Sequence, residues 1–261
     1  MRKKVIFEWF GIVMPMAEKY AAIKRAGFDG VMMWWGSDDL QYDDYLLNPE
    51  LARKNGLFVE NMHTPFARVN SLWRDGLEGE DYAANLTRYA NDCSERGVPT
   101  MIVHISHGFD PPPMSEVGFD RLKRLVETAE RKNVNVAIEN LRRGDYTRAV
   151  FERIDSPRLK FCYDSGHANC FDAATDYLGL FGDKLAALHL HDNDGSSDMH
   201  NAPFTGTVDW ARTMKKIGGA GYKGAISLEV FCGEGALPSG DADELLRLAS
   251  ESADKLEGLI E

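Results

Sequence analysis

Residues 135–164 read NVAIENLRRGDYTRAVFERIDSPRLKFCYD, and they contain two strand-like runs separated by a helix-like run. Asn135 to Glu139 is an apolar run of strand length, and Leu159 to Tyr163 is a second such run that leads into Asp164. Between them, Tyr146 to Ile154 has the pattern of a short helix. Two strands without a polar face, joined by a helix, predict parallel neighbours in a sheet that helices cover.

The same alternation of strand-like and helix-like runs continues in both directions from this stretch. The other predicted strands are Lys4 to Trp9, Asp29 to Trp35, Leu57 to Met62, Thr100 to Ile105, Leu185 to Leu190 and Gly224 to Val230. The other predicted helices are Pro15 to Arg25, Asp43 to Lys54, Glu80 to Arg96, Ser115 to Lys132, Ala173 to Phe181, Asp209 to Ile217 and Asp241 to Leu259. Eight strand–helix units in roughly 250 residues predict an α/β fold, a single (β/α)8 TIM barrel that forms one domain over residues 1–261. An open doubly wound sheet is the alternative, but no glycine-rich phosphate turn follows the first strand.

Composition and charge narrow the class of protein. The chain has 261 residues, and 30 Lys and Arg against 41 Asp and Glu give a net charge of −11. This charge opposes nucleic acid and anionic membranes as general partners. The four cysteines form no CxxC pair, no apolar run approaches the ~20 residues of a membrane span, and no cleavage-site pattern follows the basic N-terminus. These features predict a cytoplasmic protein with reduced thiols.

A second stretch concentrates polar side chains where a predicted strand passes into a loop. Residues 188–210 read LHLHDNDGSSDMHNAPFTGTVDW. Residues two apart on a strand share a face, so His189 and His191 point the same way. Asp198 and His200 follow in the same loop. Imidazoles and carboxylates at this density suit a divalent metal better than a core, although a polar loop with one core histidine is the simpler alternative.

Histidines and carboxylates also end the other predicted strands. In a barrel, the carboxyl ends of the strands meet at the rim that carries the active site. A carboxylate inside an apolar strand, such as Glu139 or Glu229, costs several kcal/mol without a partner. A shared divalent cation would satisfy these groups together. The rim residues are His63, His104, His107, Glu139, Asn140, Asp164, His167, His189, His191 and Glu229.

The same side chains also have interpretations that need no metal. Glu139 and Glu229 could pair with Arg142, Arg143 or a lysine of the barrel. Asp164 could merely cap the following helix. The histidines His63 and His104 could be core residues with satisfied hydrogen bonds.

Other rim residues are predicted to contact a substrate. Polar side chains could bind hydroxyl groups, and aromatic rings could form a sugar-facing wall, although packing beneath the loops explains the rings equally well. The predicted substrate contacts are His167, Asn140, His191 and Trp35, with Trp9, Trp34 and Phe66 as further aromatic candidates.

Together these motifs resemble the xylose isomerase-like (β/α)8 barrels, also called AP endonuclease family 2. The matching motifs are NMHTPF at 61–66, VH at 103–104, IEN at 138–140, DSGH at 164–167, HLHD at 189–192, DMH at 198–200 and SLE at 227–229. Sugar epimerases of this family hold one divalent ion with two glutamates, an aspartate and a histidine. The resemblance gives these roles to Glu139, Asp164, His189 and Glu229, with His191 as an alternative to His189. It also implies that His167 binds substrate.

The same superfamily contains endonuclease IV, which cuts DNA at abasic sites with three zinc ions. Counterparts of its additional ligands are also present here. They are His63, His104, His167, Asp198 and His200. The net charge of −11 and the lack of a glycine-rich run after Asn140 argue against that activity.

The leading hypothesis is a divalent-metal-dependent isomerase or epimerase of a sugar, a sugar phosphate or a keto-polyol. It would transfer a proton through a metal-stabilised enediolate, with Glu139 and Glu229 as acid and base. Mixed nitrogen and oxygen ligands favour manganese or zinc, with magnesium or cobalt less favoured. The alternatives are a zinc phosphodiesterase that acts on abasic DNA or another phosphodiester, and a sugar-binding barrel without catalysis. The expected partner is a small sugar-like molecule rather than nucleic acid or membrane. A homo-oligomer is compatible with the sequence, which does not decide the oligomeric state.

Overall fold

The computed structural model of the chain describes residues 1–36, 45–232 and 240–260. The strands are β1 (Lys4–Phe7), β2 (Gly30–Trp34), β3 (Phe58–His63), β4 (Thr100–Val103), β5 (Asn135–Glu139), β6 (Leu159–Asp164), β7 (Leu185–His189) and β8 (Ile226–Leu228). The α-helices in these ranges are α1 (Met16–Arg25), α2 (Asn48–Lys54), α3 (Leu77–Glu95), α4 (Glu116–Lys132), α5 (Gly144–Arg153), α6 (Ser165–Cys170), α7 (Tyr177–Phe181), α8 (Trp210–Gly219) and α9 (Ala242–Glu257). Short 3-10 helices lie at Tyr45–Leu47, Val69–Trp73 and Gly182–Lys184. None of the helices in the described ranges is long and apolar enough to cross a membrane.

The strands form one parallel barrel. Hydrogen bonds join them in the order β7-β6-β5-β4-β3-β2-β1-β8. The seam between β7 and β8 is bridged at Leu190, which pairs in parallel with Leu228. The Leu190 N–H donates to the Ser227 carbonyl at 3.0 Å, and the Leu190 carbonyl accepts from the Glu229 N–H at 3.1 Å. The prediction of a (β/α)8 barrel is therefore confirmed, with the carboxyl ends of all these strands at one rim.

The inward faces of the strands build a small apolar floor beneath this rim. One group comes from β1, β2 and β8, and another comes from β4 to β7. The first contains Val5, Phe7, Met32, Trp34 and Ala225, and the second contains Ile102, Ala137, Cys162 and Ala187. Because strand residues two apart share a face, the next inward positions above the second group are His104, Glu139, Asp164 and His189.

The predicted element bounds differ from the observed ones mainly beyond β6. The predicted helix Ala173 to Phe181 begins only at Tyr177, and the sequence reasoning missed α6. The reason is capping, because the Asp164 carboxylate accepts a hydrogen bond from the His167 N–H at 2.7 Å and starts α6 at once. Strand β8 is also shorter than the predicted Gly224 to Val230. The predicted helix start at Asp43 lies outside the described residues.

Candidate metal centre and active site

Consecutive strand ends from β3 to β8 bring buried imidazoles and carboxylates to the rim. His63, Glu139, Asp164 and His189 are the last residues of their strands, and the other two follow their strands directly. All six side chains are buried. The complete ring is His63, His104, Glu139, Asp164, His189 and Glu229.

Glu139 lies at the centre of this ring. Its Oε2 atom is 3.0 Å from His104 Nε2 and 3.3 Å from His63 Nε2. Its Oε1 atom is 3.1 Å from His167 Nδ1 and 3.4 Å from His189 Nδ1. Burial raises the pKa of Glu139, but His189 and His104 outweigh burial and hold that pKa well below its usual range. The carboxylate is therefore ionised and faces four imidazoles.

His189 joins the two glutamates. Its Nδ1 atom lies 3.1 Å from Glu229 Oε2, in addition to its approach to Glu139. Burial raises the pKa of Glu229, but His189 more than offsets it and lowers the pKa to about 2. Burial lowers the pKa of His189, whereas Cys162, Glu229 and Glu139 raise that pKa well above its usual range. The two carboxylates thus converge on a single imidazole.

Asp164 belongs with Glu139, His189 and Glu229 to the inner group of the ring. It is held from several sides. Its Oδ1 atom lies 3.0 Å from His191 Nε2, and its Oδ2 atom lies 3.4 Å from His167 Nδ1. The Asn140 side chain donates to the Asp164 carbonyl and accepts from the Asp164 N–H, both at 2.8 Å. Helix capping by Asp164 is therefore real, but the same carboxylate also faces the imidazoles of the site.

A second group of ligand-type residues lies beside the first. His200 Nε2 is 3.4 Å from Asp198 Oδ1, and His191 Nε2 is 3.8 Å from the same oxygen. The rings of His191 and His200 stack with their centres 4.0 Å apart. His167 connects the two groups, because its Nε2 atom is 3.1 Å from Asp198 Oδ2. Burial lowers the pKa of His200, but the hydrogen bond to Asp198 raises that pKa to about 9.

The loop that carries this second group is organised by Asp192. The fully buried Asp192 carboxylate accepts hydrogen bonds from the Phe204 N–H at 3.0 Å, the Val208 N–H at 3.1 Å and the Trp210 indole N–H at 2.8 Å. The same carboxylate also accepts from the Asn193 N–H at 3.0 Å, and a buried carboxylate with four donors fixes the backbone around it. Asp192 thus positions the loop, while Asp198 and His200 face the site.

The inner group fits a divalent cation. Glu139, Asp164, His189 and Glu229 each offer one ligand atom, and these atoms all lie within 4.8 Å of one another. Among the described residues, His189 Nδ1 is buried without a hydrogen-bond partner, although two carboxylate oxygens are near it. A shared cation would satisfy converging donors of this kind, and mixed oxygen and nitrogen ligands suit a divalent transition metal. His63, Glu139 and His189 form an overlapping set of the same compactness.

A cavity of about 390 Å³ opens onto these groups, which is the volume of a small-molecule pocket. Aromatic rings of its lining also hold the imidazoles in place. Trp34 stacks on His63 at 5.5 Å, and Phe66 stacks on His104 at 4.2 Å. The cavity lining includes Glu139 and Glu229, the imidazoles His63, His104, His167 and His200, and the rings Phe7, Trp9, Trp34, Phe66 and Phe231.

Three of the predicted substrate contacts lie outside the lining of this cavity. Trp35 points to the opposite face from Trp34, where it is fully buried and its indole N–H donates to Asp92 at 2.9 Å. The Asn140 amide is committed to the Asp164 backbone, and His191 is fully buried against the Asp164 carboxylate. None of the three is among the residues that line the cavity. His167 does line the cavity.

Sequence reasoning also missed part of the lining. Phe7 and Phe231 face the cavity. Each lies two positions after an inward-facing residue, Val5 for Phe7 and Glu229 for Phe231. That spacing from Glu229 was the available signal for Phe231. Arg142 was considered only as an ion-pair partner of Glu139 and Glu229, and the ion pairs among the described residues do not include that contact. Arg143 pairs instead with Asp145, at 2.9 and 2.8 Å.

Gly166 offers a test of how closely the site is packed. A Cβ atom at this position would lie 1.9 Å from His191 Cε1. We expect Gly166→Ala to displace His191 from Asp164 and to weaken metal binding by about 10–100-fold, as loss of a supporting contact to a ligand does. Metal titration followed by fluorescence or calorimetry measures this. Gly219→Ala is the control, because a Cβ there meets nothing within 4 Å. Equal metal affinity in the two variants would contradict this packing.

Comparison with known proteins assigns a barrel with this arrangement of rim residues to a family. The family model described as xylose isomerase-like TIM barrel matches residues 20–256, so the chain belongs to that family.

Three individual relatives share 30% sequence identity or less with this chain. The protein y4fM of Sinorhizobium fredii, described as uncharacterized, is 30% identical over 183 residues, and the match covers 63% of this chain and 58% of y4fM. The chain thus spans little more than half the length of that relative. Fructoselysine 3-epimerase of Escherichia coli O157:H7 is 24% identical over 241 residues, which cover 83% of this chain and 86% of the epimerase. The structure of D-allulose 3-epimerase from Methylomonas sp. in complex with D-allulose has the same fold, with a TM-score of 0.77, 18% identity, and coverage of 97% of this chain and 96% of that chain.

Proposed function

We propose that this protein is a divalent-metal-dependent isomerase or epimerase of a keto sugar, a keto-polyol or a sugar phosphate. The observation that carries the proposal is a pair of buried carboxylates, Glu139 and Glu229, that line one cavity and converge on His189. Such a reaction needs a proton acceptor and a proton donor that reach one carbon from different sides. Strands β5 and β8 approach the cavity from different parts of the ring, since β6 and β7 lie between them.

The metal would be held by Glu139, Asp164, His189 and Glu229. A divalent cation bound there supplies Lewis-acid polarisation of the carbonyl and the adjacent hydroxyl oxygen of the sugar. Manganese or zinc is our first choice of ion, because the donor set mixes nitrogen and oxygen.

The chain's own residues would carry the proton. One of Glu139 and Glu229 removes the proton from the carbon beside the carbonyl, and the other returns a proton to that carbon or its neighbour. His167 lines the cavity and is held by Asp198 on one nitrogen and by Asn140 and Glu139 on the other. We propose that the His167 ring contacts the sugar where it lines the cavity. The aromatic lining would exclude water from the reacting carbon.

The relatives support this class of reaction. Fructoselysine 3-epimerase is named for an epimerisation, and the fold neighbour from Methylomonas sp. was solved with a ketohexose. Their names describe those proteins, and the substrate of this chain is inferred from its own cavity.

Solvent exchange tests the proposal. In heavy water, the metal-loaded protein is expected to place deuterium on the carbon beside the carbonyl of at least one member of a panel of ketoses, ketose phosphates and keto-inositols. Proton NMR follows the loss of that signal even when net conversion is slow. An absence of exchange across the panel, together with metal-dependent cleavage of abasic DNA, would transfer the assignment to a phosphodiesterase.

That second candidate rests on one observation. His191, Asp198 and His200 form a further compact ligand group beside the inner one, and with His63 and His104 the site has donors for more than one ion. A zinc phosphodiesterase would use metal-activated water at such a centre.

Metal stoichiometry separates the two candidates. Under our proposal, Asp198→Ala or His63→Ala leaves one equivalent of metal bound and alters the rate or affinity for a sugar, because neither residue belongs to the four inner ligands. Elemental analysis of the purified variants measures this. A stepwise loss from three equivalents of zinc would instead favour the phosphodiesterase.

A further inference from the structure

Arg142 lies in the loop that follows β5, three residues beyond Glu139, and it lines the same cavity. Among the described residues that line this cavity, Arg142 is the only lysine or arginine. The other polar groups of the lining are carboxylates, imidazoles, the Ser106 hydroxyl and the indoles of Trp9 and Trp34. Arg142 is half-buried. Among the described residues of the lining, it is therefore the side chain whose positive charge does not depend on pH.

Two aromatic rings hold this guanidinium. Its Cζ atom lies 4.0 Å from the centre of the Phe171 ring and 5.6 Å from the centre of the Phe109 ring. The two rings meet edge to face at 5.7 Å. Cation–π contacts orient an arginine but leave its N–H donors free to bind an anion.

The charge of Arg142 is not neutralised by a neighbouring carboxylate in the described parts of the chain. No ion pair within 4.0 Å involves it there, whereas the adjacent Arg143 makes two hydrogen bonds to Asp145. An arginine that faces a cavity, packs on aromatic rings and has no acidic partner can bind an anionic ligand group through its N–H donors.

The distance from Arg142 to the reacting end of the cavity suits a sugar. Phe171 also stacks on His167, with ring centres 5.3 Å apart. The distance from the guanidinium carbon to the His167 ring centre is therefore at most the sum of these two distances, 4.0 Å and 5.3 Å. A six-carbon sugar whose carbonyl end lies at the glutamates can extend its other end to this point.

We propose that Arg142 binds an anionic group, a carboxylate or a phosphate monoester, at the end of the substrate remote from its carbonyl. This inference rests on the proposed function and narrows it from keto sugars in general to anionic keto sugars. Arginine binds both groups with two parallel N–H···O bonds, so the shared chemistry is a bidentate oxyanion.

Matched substrates test the inference. The rate of solvent deuterium exchange is measured for a neutral ketohexose, its 6-phosphate and the corresponding ketohexuronate. We expect kcat/KM to be roughly tenfold or more higher for one anionic form than for the neutral sugar, since hydrogen bonds to charged groups contribute at about that level. The anionic form that leads identifies the group as phosphate or carboxylate. Equal kcat/KM for all three would overturn the inference and leave the proposed function standing.

Two neighbouring variants assign the effect to one side chain. Arg142→Gln is expected to lower kcat/KM for the anionic form at least tenfold more than for the neutral sugar, and Arg142→Lys should restore part of the preference. Arg143→Gln makes the same change in net charge one residue away, outside the cavity lining, and should keep the preference. An equal loss in the two glutamine variants, or an equal loss for neutral and anionic sugars, would overturn the inference.

Binding of unreactive polyols separates this inference from the proposed function. Sorbitol 6-phosphate and gluconate have no ketone to react, so their affinities are measured by calorimetry against sorbitol on wild type and Arg142→Gln. Tighter binding of one anionic polyol that depends on Arg142 would support the anion site even if no ketose exchanges. Affinities that Arg142→Gln leaves unchanged would overturn the inference irrespective of catalysis.

Discussion

Replacement of Glu139 or Glu229 by glutamine is expected to lower turnover by roughly 10²–10⁴-fold in each variant, the usual contribution of a general acid or base. Glutamine retains an oxygen near its native position but cannot carry the proton. Both side chains are buried and line the cavity, so water does not replace the missing base easily. The sugar should still bind, and part of the metal should remain.

The measurement is the rate of deuterium exchange into the best substrate at saturation. Glu8→Gln is the matched control, because Glu8 is also a fully buried glutamate but faces Tyr20 of α1, outside the cavity lining. Burial raises the pKa of Glu8 to about 7, so the change to a neutral amide removes less charge there than it does at Glu139 or Glu229, whose pKa values are lowered. Activity retained in both active-site variants would remove Glu139 and Glu229 from acid–base chemistry.

Removal of the metal is expected to give the second large effect, a fall in melting temperature of about 10 °C. A ligand present at a thousand times its Kd stabilises the folded state by about 4 kcal/mol, and about 1 kcal/mol corresponds to roughly 2–4 °C in a chain of this size. The physical reason is the crowding of Glu139, Asp164 and Glu229, whose ligand atoms lie within 4.8 Å of one another and of His189.

Differential scanning calorimetry before and after chelation measures this shift, and added manganese or zinc should restore it. His189→Ala should abolish the response to metal, because it deletes one of the inner ligands. His107→Ala is the control, since His107 is an exposed histidine of the cavity lining and belongs to none of the compact ligand groups of the described residues. If neither chelator nor added metal changes the melting temperature of the wild type, the proposed metal centre is contradicted.

The fold could be predicted because its signals are local and repeated. Runs such as Asn135–Glu139 are apolar on both faces, which is how strands of a helix-covered parallel barrel appear in sequence. The elements that were mispredicted depend on single side chains. Helix α6 starts because Asp164 caps it, and an aspartate at the end of a strand does not reveal whether it caps a helix, faces the site or does both.

The candidate site was predictable in its inner group for a similar reason. Ligand-type residues at the ends of strands must meet in a barrel, so His189 and Glu139 could be placed together from order alone. Direct contact with a ligand depends on which face a residue occupies. Trp34 and Trp35 are adjacent in sequence, yet one lines the cavity and the other packs beneath the helices. Pattern reasoning did not fix that register.

Contacts between loops could not be predicted from the sequence. The position of Arg142 is set by Phe171 and Phe109, which come from loops after other strands. Neither ring is near Arg142 in sequence, and no periodicity relates them. Only the folded chain brings a cationic residue into the cavity of an acidic protein.

Metal-dependent proton transfer is tested by the rate of solvent deuterium exchange into a keto sugar, measured on protein stripped of metal and again after one equivalent of manganese or zinc is added. We expect no exchange above background in the stripped protein and full exchange at one equivalent. Exchange that proceeds equally without metal would contradict a metal-centred proton transfer, as would a loaded protein that exchanges no keto sugar.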